Sequence, residues 1–412
     1  VRTVRALVAS LLVVLPIAVG TAEAKPPEPP GWSSAWTTAP HRPSKAFLPT
    51  WSEAGFSNQT LRQVVRVTEG GAATRVQLTN RYGTAPLAVA GATIARTAPD
   101  GGIRPESVLD LTMGLARSFR IPAGADVDTD PAPLALAPME SVTITLYLAE
   151  PTGPATMHAQ AAATSYRAAG DHRADPSGAA FTETTHSWYY LAGVEVLNLA
   201  PRRAGVVVFG DSITDGVGST INADNRFPDE LAERSAAAGN ARAVLNQGIG
   251  GNRVTVDSSW LGDSARTRFQ RDVLDQPGVG TVIILEGTND IGLSSAEPAF
   301  DPVPVSAEQL IAAHRELIRR AHAAGLRVIG ATLLPFGDSP YFSAEAEAKR
   351  QALNEWIRTA GEYDAVADLD TALADPTAPH RLNPPYDSGD HLHPNDAGYR
   401  AMADAIDLSE LR

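Results

Sequence analysis

The sequence predicts an α/β domain on a parallel sheet over residues 201–412, preceded by a β-sandwich-like domain over residues 32–200. Three observations carry this. Gly205–Phe209, Thr281–Leu285 and Leu326–Gly330 are short continuous apolar runs, the pattern of strands buried on both faces. Helical patterns lie between and after them, over Ser306–Ala324, over Ala344–Ala360 and beyond Pro394. Upstream, Val142–Leu148 and Arg75–Thr79 alternate apolar and polar with period two, and glycine turns punctuate the segment.

Along the chain, Arg2 and Arg5 precede the apolar stretch Ala6–Gly20, and Ala22-Glu23-Ala24 is a small-x-small cleavage site. The stretch is shorter than the roughly 20 residues of a helical membrane span. Residues 1–24 therefore read as a secretory signal peptide, and the chain as a secreted, extracellular protein. Residues 25–31 form a proline-rich spacer. The region to residue 200 then carries short strands with regular turns, which suggests a sandwich. Trp32, Trp36, Trp51 and Trp188 in it suit either a carbohydrate platform or a packed core. Past Pro201 the buried strands begin, with Ala241–Leu245 as a further candidate. Ser306 is a plausible helix N-cap, Leu310, His314, Leu317 and Ala321 form one stripe, and Gly325 stands at the C-cap position.

The formal net charge of −13 argues against a nucleic-acid partner, which needs a basic face. It also disfavours docking to anionic membranes, and no later segment is long enough for stable membrane insertion. There are no cysteines, so a thiol nucleophile and a thiolate metal site are excluded.

In parallel α/β sheets, ligands bind beyond the carboxyl ends of the strands. Gly210-Asp211-Ser212-Ile213-Thr214-Asp215-Gly216 follows the first strand. A serine there sits on a tight turn with its hydroxyl exposed and its own N–H facing the same space, although a bare Gly-Asp-Ser more often marks a helix cap. Asn246-Gln247-Gly248-Ile249-Gly250-Gly251-Asn252 follows the second candidate strand, and its glycine turn can present a backbone N–H. Gly287-Thr288-Asn289-Asp290 follows Thr281–Leu285 and offers an uncharged amide donor, or else an Asx turn. In Asp390-His391-Leu392-His393-Pro394, an Asp three residues before a His can hold one ring nitrogen and leave the other as a base. Asp387, Asp390, His391 and His393 also suit a metal site, which would make a metal-dependent hydrolase.

Together the four segments supply every role in acyl transfer, and in this order they resemble the four sequence blocks of the SGNH hydrolases, also called the GDSL esterase/lipase family. The resemblance covers nearly all of residues 201–412. It implies a flavodoxin-like three-layer fold, with Ser212 as nucleophile, His393 as base and Asp390 as its orienter. Ser212, Gly251 and Asn289 would form the oxyanion hole, and neither metal nor organic cofactor is needed. The first block reads Gly-Asp-Ser-Ile where the family has Gly-Asp-Ser-Leu. Gly250 stands as the alternative to Gly251, and His391 as the alternative to His393. A β-rich region before such a domain in an exported chain is similar to secreted two-domain actinobacterial hydrolases.

The expected partner is a small or polymeric ester, and the expected activity a secreted serine esterase. Carbohydrate O-acyl esters and small to medium acyl esters or lipids both suit it. Loops over residues 291–305, 335–343 and 376–389 should rim the pocket. Trp260, Tyr341, Phe342 and Tyr386 are the candidate substrate contacts, with Phe300 and Phe336 in the same loops. The alternative reading is a polysaccharide-binding protein with a vestigial hydrolase domain.

Overall fold

A computed structural model describes residues 31–45, 47–198, 204–294, 300 and 302–411. The signal-peptide reading and all but the last residue of the spacer lie outside them.

The C-terminal sheet has five parallel strands in the spatial order Val244–Gly248, Gly205–Gly210, Val279–Leu285, Arg327–Ala331, Ala365–Ala367. Numbered along the chain this is 2-1-3-4-5, the flavodoxin-like order. Val206–Phe209 and Val282–Leu285 are wholly buried, as continuous apolar runs require. Helix Phe227–Ala237 packs on Asp396–Asp404, and helix Ala307–Ala323 on Ala344–Thr359. Ser306 and Gln309 cap the third of these reciprocally: each side chain accepts from the other's backbone N–H, at 3.3 and 2.8 Å. Its buried face is Leu310, Ala313, His314, Leu317 and Ala321.

Several elements differ from the sequence reading, among them the helix Phe227–Ala237, which it did not name. The second strand is Val244–Gly248, not Ala241–Leu245. Its polar half stays in the sheet because both amides find partners: Asn246 Nδ2 donates to Thr214 O (2.9 Å) and Gln247 Nε2 to Thr37 Oγ1 (2.8 Å). The strand Ala365–Ala367 is too short to show a period. The stretch read as a rim loop at 376–389 holds the strand Ala378–Leu382, paired with Ala374–Asp375.

The N-terminal region is built of antiparallel sheets. A four-stranded sheet (Trp32–Thr37, Leu191–Leu197, Thr74–Thr79, Asp126–Asp128) and a six-stranded sheet around Gln59–Arg66 and Ser141–Leu148 share one core. In the alternating strand over 142–148 the polar residues Thr143 and Thr145 are buried as well. The loops at 98–103 and 171–181 cover that face. Arg62 fastens them by donating to Gly101 O (2.8 Å) and Asp175 O (2.8 Å) under the Phe181 ring.

The tryptophans form no platform. Trp36 and Trp188 meet edge-to-face in the core with ring centres 4.8 Å apart, Trp51 stacks on Tyr189, and Trp32 lies under the Arg75 guanidinium. The strand Trp32–Thr37 packs beside Val244–Gly248, the edge of the parallel sheet. There Thr68 Oγ1 accepts from the Val244 N–H at 2.9 Å.

Candidate active site

Ser212 opens the short helix Ser212–Asp215 directly beyond the strand Gly205–Gly210. Asp211 caps that helix by accepting from the Ile213 N–H (3.0 Å). The Ser212 hydroxyl donates to His393 Nε2 at 2.8 Å, and His393 Nδ1–H donates to Asp390 Oδ2 at 2.6 Å. Asp390 Oδ1 accepts from the Leu392 and His393 N–H groups at 2.9 and 2.8 Å. Burial opposes ionisation of Asp390, but the hydrogen bonds from His393 outweigh it and hold the carboxyl well below the usual range. Ser212, His393 and Asp390 thus lie on one hydrogen-bonded line, with the ring tautomer fixed so that Nε2 accepts.

His391 turns away. Its φ is +63° and its Nδ1 pairs with Asp387 Oδ2 at 2.6 Å. The four residues weighed as a metal site therefore form two separate Asp–His pairs. Among the described residues no group of three or more His, Asp or Glu side chains is placed to hold a metal.

The turn Ile249–Asn252 is closed by Asn252 N–H to Ile249 O at 3.0 Å. Gly251 takes its third position with φ +77°, where a side chain would be strained. The Gly250 N–H is already held by Asp215 Oδ2 at 3.0 Å, which favours Gly251 over Gly250 as a donor to a substrate. Asn289, almost wholly buried, donates through Nδ2 to Asn252 O (2.9 Å) and more weakly to Asp211 Oδ2 (3.3 Å). Its Oδ1 accepts from the Tyr341 hydroxyl at 2.8 Å. Burial pushes the Asp211 carboxyl up to about 7.

Sequence reasoning passed over Arg268. Its side chain is fully buried and donates to Gly210 O (2.7 Å), Gln247 O (2.7 Å) and Asn252 Oδ1 (2.9 Å), and it pairs with Glu286 and Asp272 at 3.1 Å each. It ties three strand ends together beneath the site. In sequence it is one more arginine on a helix, with no mark of burial. Asp215, in the first block, carried no assigned role either.

Tyr341 and Phe342 line a groove of about 690 Å³ with Phe47, Ile291, Leu293 and Phe300. Trp260 stands behind it, its ring centre 5.1 Å from that of Phe47 and 5.5 Å from that of Phe300. Tyr386 is placed elsewhere, packed on the hydrolase core beside the last helix, and Phe336 is wholly buried.

Residues 208–401 match the sequence profile of the GDSL-like lipase/acylhydrolase family. The second domain is a GDSL-type (SGNH) hydrolase domain. Such a domain is that of a carboxylic ester hydrolase. Solved structures similar to this hydrolase domain include a GDSL-like lipase from Bacteroides thetaiotaomicron (21% identity, 52% of this chain and 91% of that chain, TM-score 0.39). A lipase/acylhydrolase from Enterococcus faecalis shares 22% identity over 49% of this chain and 92% of that chain (TM-score 0.38). An acetylxylan esterase from Geobacillus stearothermophilus shares 20% over 51% and 96% (TM-score 0.38). A comparison with curated proteins gave no match.

Proposed function

We propose that this chain hydrolyses carboxylic esters through an acyl-enzyme on Ser212. The observation that carries the reading is the unbroken Asp390–His393–Ser212 line, at 2.6 and 2.8 Å. His393 takes the Ser212 proton as Oγ attacks the ester carbonyl, and Asp390 stabilises the imidazolium that forms. The N–H groups of Ser212 and Gly251 and the Asn289 amide receive the developing oxyanion, the substrate oxygen displacing Asp211 from its long bond to Nδ2. His393 then protonates the leaving alcohol, and water, activated by the same imidazole, releases the acid.

The groove beside Tyr341 falls within the usual 300–1,000 Å³ of small-ligand sites. Its apolar rings suit a small to medium acyl group, and its open, aromatic rim leaves room for a sugar alcohol. An intact triad gives no support to a vestigial domain. The basic start, apolar stretch and Ala22-Glu23-Ala24 site support export; N-terminal sequencing of protein from the culture medium, with residue 25 first, tests it.

Ser212→Ala should lower kcat on a p-nitrophenyl ester by at least about 10⁴-fold while the thermal midpoint stays put. A fluorophosphonate should label the wild type at Ser212. Turnover retained by Ser212→Ala refutes the reading.

A further inference from the structure

The N-terminal domain reaches into the site. His158, on a short strand pair with Trp188–Tyr189, is buried at the domain boundary, as is its partner Asp215. Its Nδ1 faces Ala39 O at 3.0 Å and its Nε2 faces Asp215 Oδ1 at 3.0 Å. Asp215 closes the four-residue helix that Ser212 opens, and its other oxygen, Oδ2, accepts from the Gly250 N–H at 3.0 Å. One carboxylate thus joins the nucleophile's helix to the glycine turn, and a side chain from the other domain fixes that carboxylate.

The surroundings leave His158 little freedom. The Trp188 ring stacks on it with centres 5.6 Å apart, and His41 meets it edge-on. His41 Nε2 accepts from the neighbouring Ala159 N–H at 2.9 Å, and burial lowers the pKa of His41 to about 3, so it stays an acceptor. Two more residues of the same domain press on the turn. The Gln160 side-chain oxygen lies so close to Gly250 that a Cβ there would be 1.7 Å from it, and Phe47 borders Gly251.

We propose that His158 is a positioning residue for ester hydrolysis: through Asp215 it holds the Gly250–Gly251 turn where the Gly251 N–H can receive the oxyanion. The N-terminal domain is then a working part of the catalytic site rather than an appended module. A plain packing role for His158 predicts lost stability only. A positioning role predicts a loss confined to the transition state, because the turn's donor matters only once charge reaches the carbonyl oxygen.

The inference rests on the ester-hydrolase reading. Full-length wild type, His158→Ala and the isosteric Asp215→Asn are assayed with p-nitrophenyl acetate. The inhibition constant of a trifluoromethyl ketone, whose adduct places an oxyanion in the same hole, is measured beside KM. The expected result is a fall in kcat per fluorophosphonate-labelled serine of about 10- to 100-fold, a parallel rise in the inhibition constant, and KM within about threefold. Unchanged kcat per labelled serine, with only a lower thermal midpoint, overturns the inference. If His158→Ala does not fold, Asp215→Asn decides by the same measures. Absence of turnover in the wild type refutes the ester-hydrolase reading instead, so the two failures are distinguishable.

Discussion

The hydroxyl of Tyr341 donates to the Oδ1 of Asn289 across 2.8 Å, and that bond fixes the amide so that its Nδ2 hydrogens go to Asn252 O and Asp211 Oδ2. Tyr341 also lines the groove proposed for the acyl group, so one side chain both borders that groove and holds the Asn289 amide. Tyr341→Phe keeps the wall and removes the bond. One hydrogen bond contributes about 0.5–1.5 kcal/mol, so kcat on a short ester should fall about 3- to 10-fold with KM little changed. A change confined to KM would assign Tyr341 to binding alone.

Asp390→Asn should preserve the loop, because Oδ1 can still accept from the Leu392 and His393 N–H groups. Its amide then donates to His393 Nδ1 and forces the proton onto Nε2, which can no longer accept from Ser212. The expected loss in kcat is about 10⁴-fold. A crystal structure of the variant with the ring unmoved, together with stopped-flow acylation rates, would separate this cause from misfolding.

Arg268 is the next test. Replacing it with methionine leaves Glu286 buried without its cation, while Asp272 keeps its pair with Arg271. Removing one member of a buried pair costs about 3–5 kcal/mol. Urea unfolding should show that loss, and activity should drop with it because three strand ends are no longer pinned. A stability change under 1 kcal/mol, roughly the value of an exposed pair, would refute this role.

His314 predicts a pH dependence of stability. Burial lowers its pKa from 6.5 to about 4, with Tyr363 donating to Nδ1 at 2.6 Å and Nε2 facing Glu286 O at 3.2 Å. The unfolded chain binds a proton that the folded chain refuses. The contribution is therefore present above pH 6.5 and is lost as pH falls toward about 4, by roughly 3 kcal/mol. Urea midpoints of wild type and His314→Gln across that window check the sign. The variant should start less stable and lose less on acidification.

The strands and helices of the second domain were legible because burial on both faces writes a continuous apolar run, and a cap box writes its own start at Ser306. The residues proposed as the triad stand out in sequence for a different reason: Ser212 directly follows a strand, and Asp390 and His393 directly precede a helix, so short motifs carry them. The strand Val244–Gly248 was misplaced because Asn246 and Gln247 look like loop residues until their partners, Thr214 and Thr37, are in view. His158 could not be found in sequence at all. It and Asp215 are far apart in the chain, and no local period records a pairing between two domains. Trp36 and Trp188 taught the same lesson in reverse, since composition cannot tell a binding platform from a core.

Val244–Gly248 ends its sheet, and its flank lies against Thr68 and the strand Trp32–Thr37. An uncovered strand edge is a template for pairing with another chain, and proteins spend structure to hide it. Here the first domain does the hiding. Cut free, the hydrolase half would bare that edge to pairing with another chain. The two halves are therefore expected to resist the swapping that linker-joined modules allow.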